Sequence, residues 1–195
     1  MIKVAITGNI ASGKSCVENY LKDKGFKVID ADKVNHSLLL HDDEVIKEIK
    51  NLFKNQDIIG IDGTLSREKI GKIVFSDKKM KSELEKILHK KIDEEIEQFI
   101  KINEKEKIIF VSVPLLFETN QDVKYDIIIF VSAKKKIRLI RLMKRNNFSE
   151  EYAKVRINSQ MKEELKIKKS DYVIYNNSDF ENIKHQIDNI LKELI

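Results

Sequence analysis

The sequence contains few of the residues that cross-link small secreted domains or mark turns. Its 195 residues include one cysteine (Cys16), one proline (Pro114), six glycines and no tryptophan. A single cysteine excludes an intramolecular disulfide framework. The scarcity of proline beside abundant lysine, isoleucine and asparagine indicates a compositional bias of the genome and carries no functional information.

Long hydrophobic runs are also lacking. No apolar stretch approaches the about 20 residues that a membrane helix requires. The chain runs from Met1 directly into a short apolar segment, without a charged leader or a small-residue cleavage site. Apolar residues make up 42% and charged residues 35%, as in soluble globular domains. We therefore expect a cytoplasmic protein without a membrane partner.

The chain has only a modest excess of positive charge, with a net charge of +5. The lysines alternate with acids, most clearly in KSELEKILHKKIDEEIEQF, which is typical of a solvated helix face. We therefore expect no nucleic-acid partner. A mild positive excess suits a small ligand rich in phosphate.

Five short apolar segments indicate buried strands, at 2–7, 26–29, 107–113, 126–132 and 171–175. A helical pattern follows the first strand at 14–24, and a closing helix is predicted at 179–194. The order strand, helix, strand implies parallel pairing. The sequence thus predicts an α/β fold with a five-stranded parallel sheet and helices on both faces.

The remaining segments predict additions to this core within a single chain of 1–195. Helical periodicity at 43–54, 66–75 and 77–103 predicts a helical insertion over 33–105. A basic helical stretch without glycine or proline covers 134–165 and is predicted to form a lid. The core then consists of 1–32, 106–133 and 166–195.

The stretch GNIASGKS at residues 8–15 matches the phosphate-loop pattern G-x-x-x-x-G-K-[ST] and lies between a strand and a helix. Glycines allow successive backbone N–H groups to point at an anion, and the helix that follows adds its positive end. Lys14 would bind the β- and γ-phosphates, and the Ser15 hydroxyl would ligate Mg²⁺. The predicted nucleotide-binding residues are Gly8, Asn9, Ile10, Ala11, Ser12, Gly13, Lys14, Ser15 and Cys16. Cys16 lies in the first turn of that helix, where a reactive thiolate would be stabilised, but we favour a small buried side chain there.

Other nucleotide-binding classes fit less well. A GTPase would need Asn-Lys-x-Asp, which is absent, and the D-x-x-G match at 57–60 falls inside the helical insertion. Motors and helicases are usually larger. A small-molecule kinase, whose insertions bind the acceptor and exclude water, is the class that remains.

The chain resembles the dephospho-CoA kinase family over essentially its full length. The matching segments are GNIASGKS at 8–15, VIDAD at 28–32, DGTLSR at 62–67, LH at 88–89, VPLLFE at 113–118, RLMKR at 141–145, RINSQ at 156–160 and DYVIYNN at 171–177. The resemblance implies the phosphate-loop kinase fold and the ATP-dependent phosphorylation of the ribose 3′-hydroxyl of dephospho-CoA. ATP, Mg²⁺ and dephospho-CoA are the implied ligands. One departure is Ser112, where many relatives carry an acid.

Asp32 follows the second predicted strand at the carboxyl edge of the sheet, where ligands of open α/β folds bind. Its carboxylate is placed to accept the proton of the acceptor hydroxyl, or to act through a magnesium-bound water. The alternative is that Asp32 only begins the next helix.

Arg138, Arg141 and Arg145 follow i, i+3, i+7 spacing and predict one basic helix face. The face is either a solvated surface or a closing lid that brings guanidinium groups to the γ-phosphate, with Arg141 first because it matches the family. We favour the lid. Arg156 and Gln160, one turn apart on the next helix, are candidates to complete it.

The resemblance assigns Arg67 and His89, in the insertion, to dephospho-CoA binding. Leu115, Leu116, Phe117 and Glu118 end the third strand and are expected near the acceptor, although the three apolar residues fit the core equally well. A nucleotide or nucleoside kinase, or a regulatory nucleotide-binding protein without an acceptor, remains the alternative function. The sequence leaves the oligomeric state open.

Overall fold

The computed structural model describes all 195 residues and contains the predicted five-stranded sheet. The strands are β1 (Ile2–Gly8), β2 (Lys27–Asp30), β3 (Ile108–Ser112), β4 (Ile127–Ser132) and β5 (Tyr172–Tyr175). All pairs are parallel and the spatial order is β2-β3-β1-β4-β5. The prediction of a parallel α/β fold is confirmed.

Nine α-helices connect or flank these strands. They are α1 (Lys14–Asp23), α2 (Ala31–His41), α3 (Asp43–Leu52), α4 (Arg67–Ser76), α5 (Lys78–Ile102), α6 (Lys135–Asn146), α7 (Glu150–Asn158), α8 (Glu163–Lys168) and α9 (Phe180–Leu194). A short 3₁₀ helix covers Asp122–Lys124. None of the helices is both long enough and apolar enough to cross a bilayer.

The contacts divide the chain into two compact units. One unit consists of Met1–Asp30 and Asn103–Ile195 and holds the whole sheet, and the other is Ala31–Ile102. The stretch 134–165, which the sequence predicts to be a basic helical lid without internal boundaries, forms α6, α7 and the start of α8.

The sheet unit has a continuous core because its central strands are buried on both faces, as expected for parallel sheets. The first core cluster joins strand residues to one face of α1 and α9, including Val17, Leu21, Ile183 and Ile187. A second cluster joins Leu142 of α6 and Ala153 and Ile157 of α7 to Ile10 and Ala11, in the turn after β1. The turn that carries the phosphate-loop motif is therefore supported directly by the core.

The helical unit Ala31–Ile102 has a core of its own. Apolar residues of α2, α3, α4 and α5 pack together, among them Leu38, Val45, Ile70 and Leu84. Side chains cap two of the helices, because Asp42 accepts from the backbone of Val45 at 2.9 Å and Ser66 accepts from Lys69 at 3.3 Å.

Candidate active site

The phosphate-loop motif forms a turn between β1 and α1 with the backbone geometry that glycine allows. Gly13 has φ +95° and Ala11 has φ +61°, both in the left-handed region. A Cβ atom on Gly8 would lie 2.5 Å from Ser12 Oγ and 2.7 Å from the carbonyl oxygen of Val131. These two glycines therefore allow a path that a larger residue would obstruct.

Side chains from distant segments hold the loop in place. Asn176, just after β5, donates from Nδ2 to the carbonyl oxygen of Ser12 at 2.8 Å. Gln160, after α7, accepts from the backbone N–H of Ile10 at 2.8 Å. Because both partners fix backbone groups, the loop has a defined shape before a ligand binds.

Gly13 offers a direct test of this packing. A Cβ atom there would lie 1.9 Å from Asn176 Nδ2, so we expect Gly13→Ala to displace the loop and to weaken ATP binding by about tenfold or more. Gly25→Ala is the matched control, since its φ of +89° imposes similar strain while nothing lies within 4 Å. That control should lose roughly 1 kcal/mol of stability and keep its ATP affinity. Calorimetric titration and thermal unfolding measure both quantities, and unchanged affinity in Gly13→Ala would contradict this account of the loop.

Arg141 of α6 also lies against the loop. Its Nη1 donates to the Ser12 carbonyl at 3.4 Å, and its Nη2 donates to Oδ1 of Asn176 at 3.0 Å and to the Asn176 carbonyl at 3.4 Å. The guanidinium thus spans two segments that border the phosphate-binding turn. The other two arginines of the predicted basic face differ from it.

The prediction that Arg138 shares one basic helix face with Arg141 and Arg145 is wrong, because Arg138 is buried. The residue is 4% exposed, and its guanidinium donates to the carbonyl of Ala133 at 2.9 Å and to Glu163 at 2.8 Å. Arg145 is exposed and donates to Asn146 Oδ1 at 2.9 Å. Of the three arginines, only Arg141 donates a hydrogen bond to the loop.

The fork shape of Arg141 gives a second prediction. We expect Arg141→Lys to lower kcat by about tenfold or more, nearly as much as Arg141→Ala, because one ammonium cannot make both sets of contacts. The loss should appear mainly in kcat if the contact to the transferring group forms only on closure. Arg145→Lys, one turn further along the same helix, is the control. Full activity of Arg141→Lys in steady-state kinetics would show that charge alone matters at this position.

Lys14, the first residue of α1, has two partners at the carboxyl edge of the sheet. Its Nζ lies 2.9 Å from Oε1 of Glu18, one helical turn further on, and also donates to the hydroxyl of Ser112 at the end of β3. The Ser112 hydroxyl in turn donates to Glu18 at 2.6 Å. Glu18 was not predicted as a site residue, although its i, i+4 spacing from Lys14 is a signal that could have identified it.

The next two loop residues are open to solvent. Ser15 is exposed, so its hydroxyl is accessible to a ligand. Cys16 is exposed as well, and the expectation of a small buried side chain there is wrong. The reason is its place in the first turn of α1, whose buried side chains begin with Val17.

The segment after β3 is partly core. Leu116 and Phe117 are almost fully buried, while Leu115 is 46% exposed. Glu118 pairs with Lys166 of α8 at 2.6 Å, and it also accepts from the backbone of Met161 at 3.4 Å. Among these four residues of the segment after β3, Leu115 is therefore the one whose side chain is exposed.

The remaining candidate residues lie on helices, with their side chains exposed. Arg156 is on α7, and Asp32, Arg67 and His89 belong to the helical unit, on α2, α4 and α5. Asp32 occupies the first turn of α2, where the helix N-terminus favours a negative charge. Arg67 lies 3.3 Å from the ring of His36, which sequence reasoning did not select.

Comparison with known proteins agrees with this geometry. Residues 2–182 match the family model of dephospho-CoA kinase. Dephospho-CoA kinase of Listeria monocytogenes is 36% identical over 196 residues, covering 98% of this chain and 96% of the relative. That of Fusobacterium nucleatum is 38% identical over 187 residues, covering 95% and 94%.

Solved structures give the same result. A Thermus thermophilus protein superposes with a TM-score of 0.87 and 31% identity, covering 100% of this chain and 98% of that one. Dephospho-CoA kinase from Campylobacter jejuni superposes with a TM-score of 0.74 and 31% identity, covering 98% and 96%. Shikimate kinase from Bacteroides thetaiotaomicron, at 11% identity and a TM-score of 0.52, shares the fold alone. The chain belongs to the dephospho-CoA kinase family.

Proposed function

We propose that this protein transfers the γ-phosphoryl group of ATP to the ribose 3′-hydroxyl of dephospho-CoA and so forms coenzyme A. The observation that carries the proposal is the fixed phosphate loop with Lys14 at its end, in a chain that belongs to this family. Phosphoryl transfer depends mainly on positioning and charge neutralisation, and a loop shaped before binding supplies both.

In this proposal the residues of 8–16 bind the triphosphate. Backbone N–H groups of the loop and the N-terminus of α1 face the phosphates, and Lys14 neutralises charge on the β- and γ-phosphates. Arg141 adds a guanidinium beside the same turn, where it contacts Ser12. Gln160 acts through the loop backbone by holding Ile10.

Magnesium is the proposed metal, and the residues present fit it. No group of three or more His, Cys, Asp or Glu side chains is placed to form a metal site of protein ligands alone. Mg²⁺ commonly takes few protein ligands and several oxygens from water and phosphate. The exposed Ser15 hydroxyl would hold the ion, which neutralises phosphate charge when bound, and Asp32 is the carboxylate proposed to assist.

Asp32 is proposed to receive the proton of the acceptor hydroxyl, directly or through a water on the metal. Arg67 and His89 are proposed to bind dephospho-CoA, with Leu115 as an apolar contact and Arg156 as part of the lid. Leu116, Phe117 and Glu118 would support this region from the core and from the ion pair with Lys166. A cytoplasmic location and the absence of nucleic-acid partners stay predictions of the sequence.

An acceptor panel tests the proposal. The protein is incubated with ATP and Mg²⁺ and with dephospho-CoA, adenosine, AMP or shikimate in turn, and ADP release is followed. We expect dephospho-CoA alone to stimulate release strongly. Equal or greater stimulation by AMP or adenosine would identify a nucleotide or nucleoside kinase, and no stimulation by any acceptor would favour a regulatory nucleotide-binding protein.

A further inference from the structure

Glu18 is a buried carboxylate to which the proposed reaction assigns no role. It lies on α1 and is 0% exposed. Its Oε1 accepts from Lys14 and from Ser112, while Oε2 is buried and accepts no hydrogen bond. A buried oxygen without a partner is costly, so its presence beside the phosphate loop needs an explanation.

The surroundings keep this carboxylate charged. Burial by itself raises the pKa of Glu18, but the charge of Lys14 and the hydrogen bonds from Ser112 and Lys14 outweigh it and leave the pKa below its ordinary value. Asp30 ends β2 directly opposite Ser112 in the sheet. The acidic side chain of Asp30 therefore lies beside Glu18. Lys14 is the cation that pairs with Glu18.

A nucleotide would draw on the same lysine. When the Lys14 ammonium turns toward the β- and γ-phosphates, Glu18 loses its cation at the moment when several negative charges arrive nearby. A buried carboxylate without a partner is strongly unfavourable, and repulsion from the phosphates adds to the cost. A divalent cation bound with the nucleotide would offset both the unpaired charge of Glu18 and its repulsion from the phosphates, because its two positive charges lie close to these groups.

We propose that Glu18 couples nucleotide binding at the phosphate loop to a divalent cation, by making binding of the metal-free nucleotide unfavourable. The inference rests on the proposed function, in which the loop binds ATP with magnesium. Glu18 is then a positioning residue that acts through Lys14. Ser112 moderates the effect, because its hydroxyl continues to stabilise the carboxylate after Lys14 has moved.

The test measures ATP binding by calorimetry, without dephospho-CoA, in excess Mg²⁺ and in excess EDTA. The coupling is the ratio of the two dissociation constants, metal-free over metal-bound. In Glu18→Gln, which keeps the size but removes the charge, this ratio should fall by about tenfold or more, through tighter metal-free binding. In Ser112→Ala the charge remains with one hydrogen bond fewer, so the ratio should rise by about fivefold. Asp23→Asn, an exposed carboxylate on the same helix, should leave the ratio unchanged.

The ratio of dissociation constants should change in opposite directions in Glu18→Gln and Ser112→Ala, and this difference distinguishes coupling from damage to the loop. A purely structural role of Glu18 predicts weaker binding in both Glu18→Gln and Ser112→Ala, equally with and without metal, and that result would overturn the inference. If Glu18→Gln does not fold, as judged by circular dichroism, Ser112→Ala tests the inference alone. A ratio of dissociation constants that stays constant or falls in Ser112→Ala would then contradict the role of Glu18. A wild-type protein that binds ATP equally well with and without Mg²⁺ would overturn the magnesium proposal as well. A metal-dependent wild type with an unchanged ratio in Glu18→Gln would overturn the role of Glu18 alone.

Discussion

Lys14→Ala is expected to reduce turnover with ATP and dephospho-CoA by about 10²–10³-fold. Removing one preorganised charge from a transferring phosphoryl group typically has an effect of this size. Lys14 is the loop cation, and its side chain is only 15% exposed at the end of the turn. Steady-state kinetics and ATP titration measure the loss in kcat and in affinity. Near-normal turnover would remove the phosphate-loop assignment.

The structure adds a stability effect to this variant. From the sequence alone, a loop lysine would contribute little to the core. In the structure, Lys14 compensates the buried Glu18, so its removal should lower the stability by roughly 3 kcal/mol. The double variant Lys14→Ala, Glu18→Gln should recover much of this stability without recovering activity. Lys22→Ala, an exposed position on the same helix, is the matched control and should change neither quantity.

Asp32→Asn is expected to reduce turnover with dephospho-CoA by about 10²-fold or more. The substitution keeps the size of the side chain but removes the group that can take a proton, and losses of this order are typical of a missing general base. ATP affinity measured without Mg²⁺ should stay almost unchanged, because Lys14 and the loop amides bind the triphosphate. Kinetics and calorimetry on the same preparation separate the two effects.

A control is needed because Asp32 also lies in the first turn of α2, where any carboxylate stabilises the helix. Asp43 occupies the first turn of α3, so Asp43→Asn should change stability by a similar few tenths of a kcal/mol and leave turnover intact. Recovery of Asp32→Asn at high Mg²⁺ would indicate a role through the metal. If Asp32→Asn turned over at the wild-type rate, the only remaining role of Asp32 would be to stabilise the first turn of α2.

Local patterns in the sequence predicted most of the fold because parallel strands bury both faces and appear as continuous apolar runs. The segment 126–132 is such a run, and the structure places β4 at Ile127–Ser132. The sequence did not predict α2 as a separate helix, because the apolar periodicity of Ala31–His41 is weak and the helix begins directly after β2. The stretch 134–165 was recognised as helical, but its division at Asn147, which has φ +52°, carries no glycine or proline signal.

The position of the loop could be predicted because an eight-residue pattern specifies it, and the structure places that turn between β1 and α1. The contacts that hold the loop could not, because they come from residues more than 125 positions away. In the folded chain Asn176 and Arg141 both donate hydrogen bonds to the carbonyl oxygen of Ser12, and no periodicity in the sequence predicts these contacts. The same limit explains Arg138, whose spacing fits a basic surface while its neighbours Glu163 and Ala133 bury it.

The most direct test of the central claim is the identification of the product. The protein is incubated with ATP, Mg²⁺ and dephospho-CoA, and the product is examined by mass spectrometry and phosphorus NMR. We expect one added phosphoryl group, as a monoester on the ribose 3′-oxygen, formed together with one equivalent of ADP. A product phosphorylated at another hydroxyl, or ADP formed without any phosphorylated dephospho-CoA, would contradict the central claim.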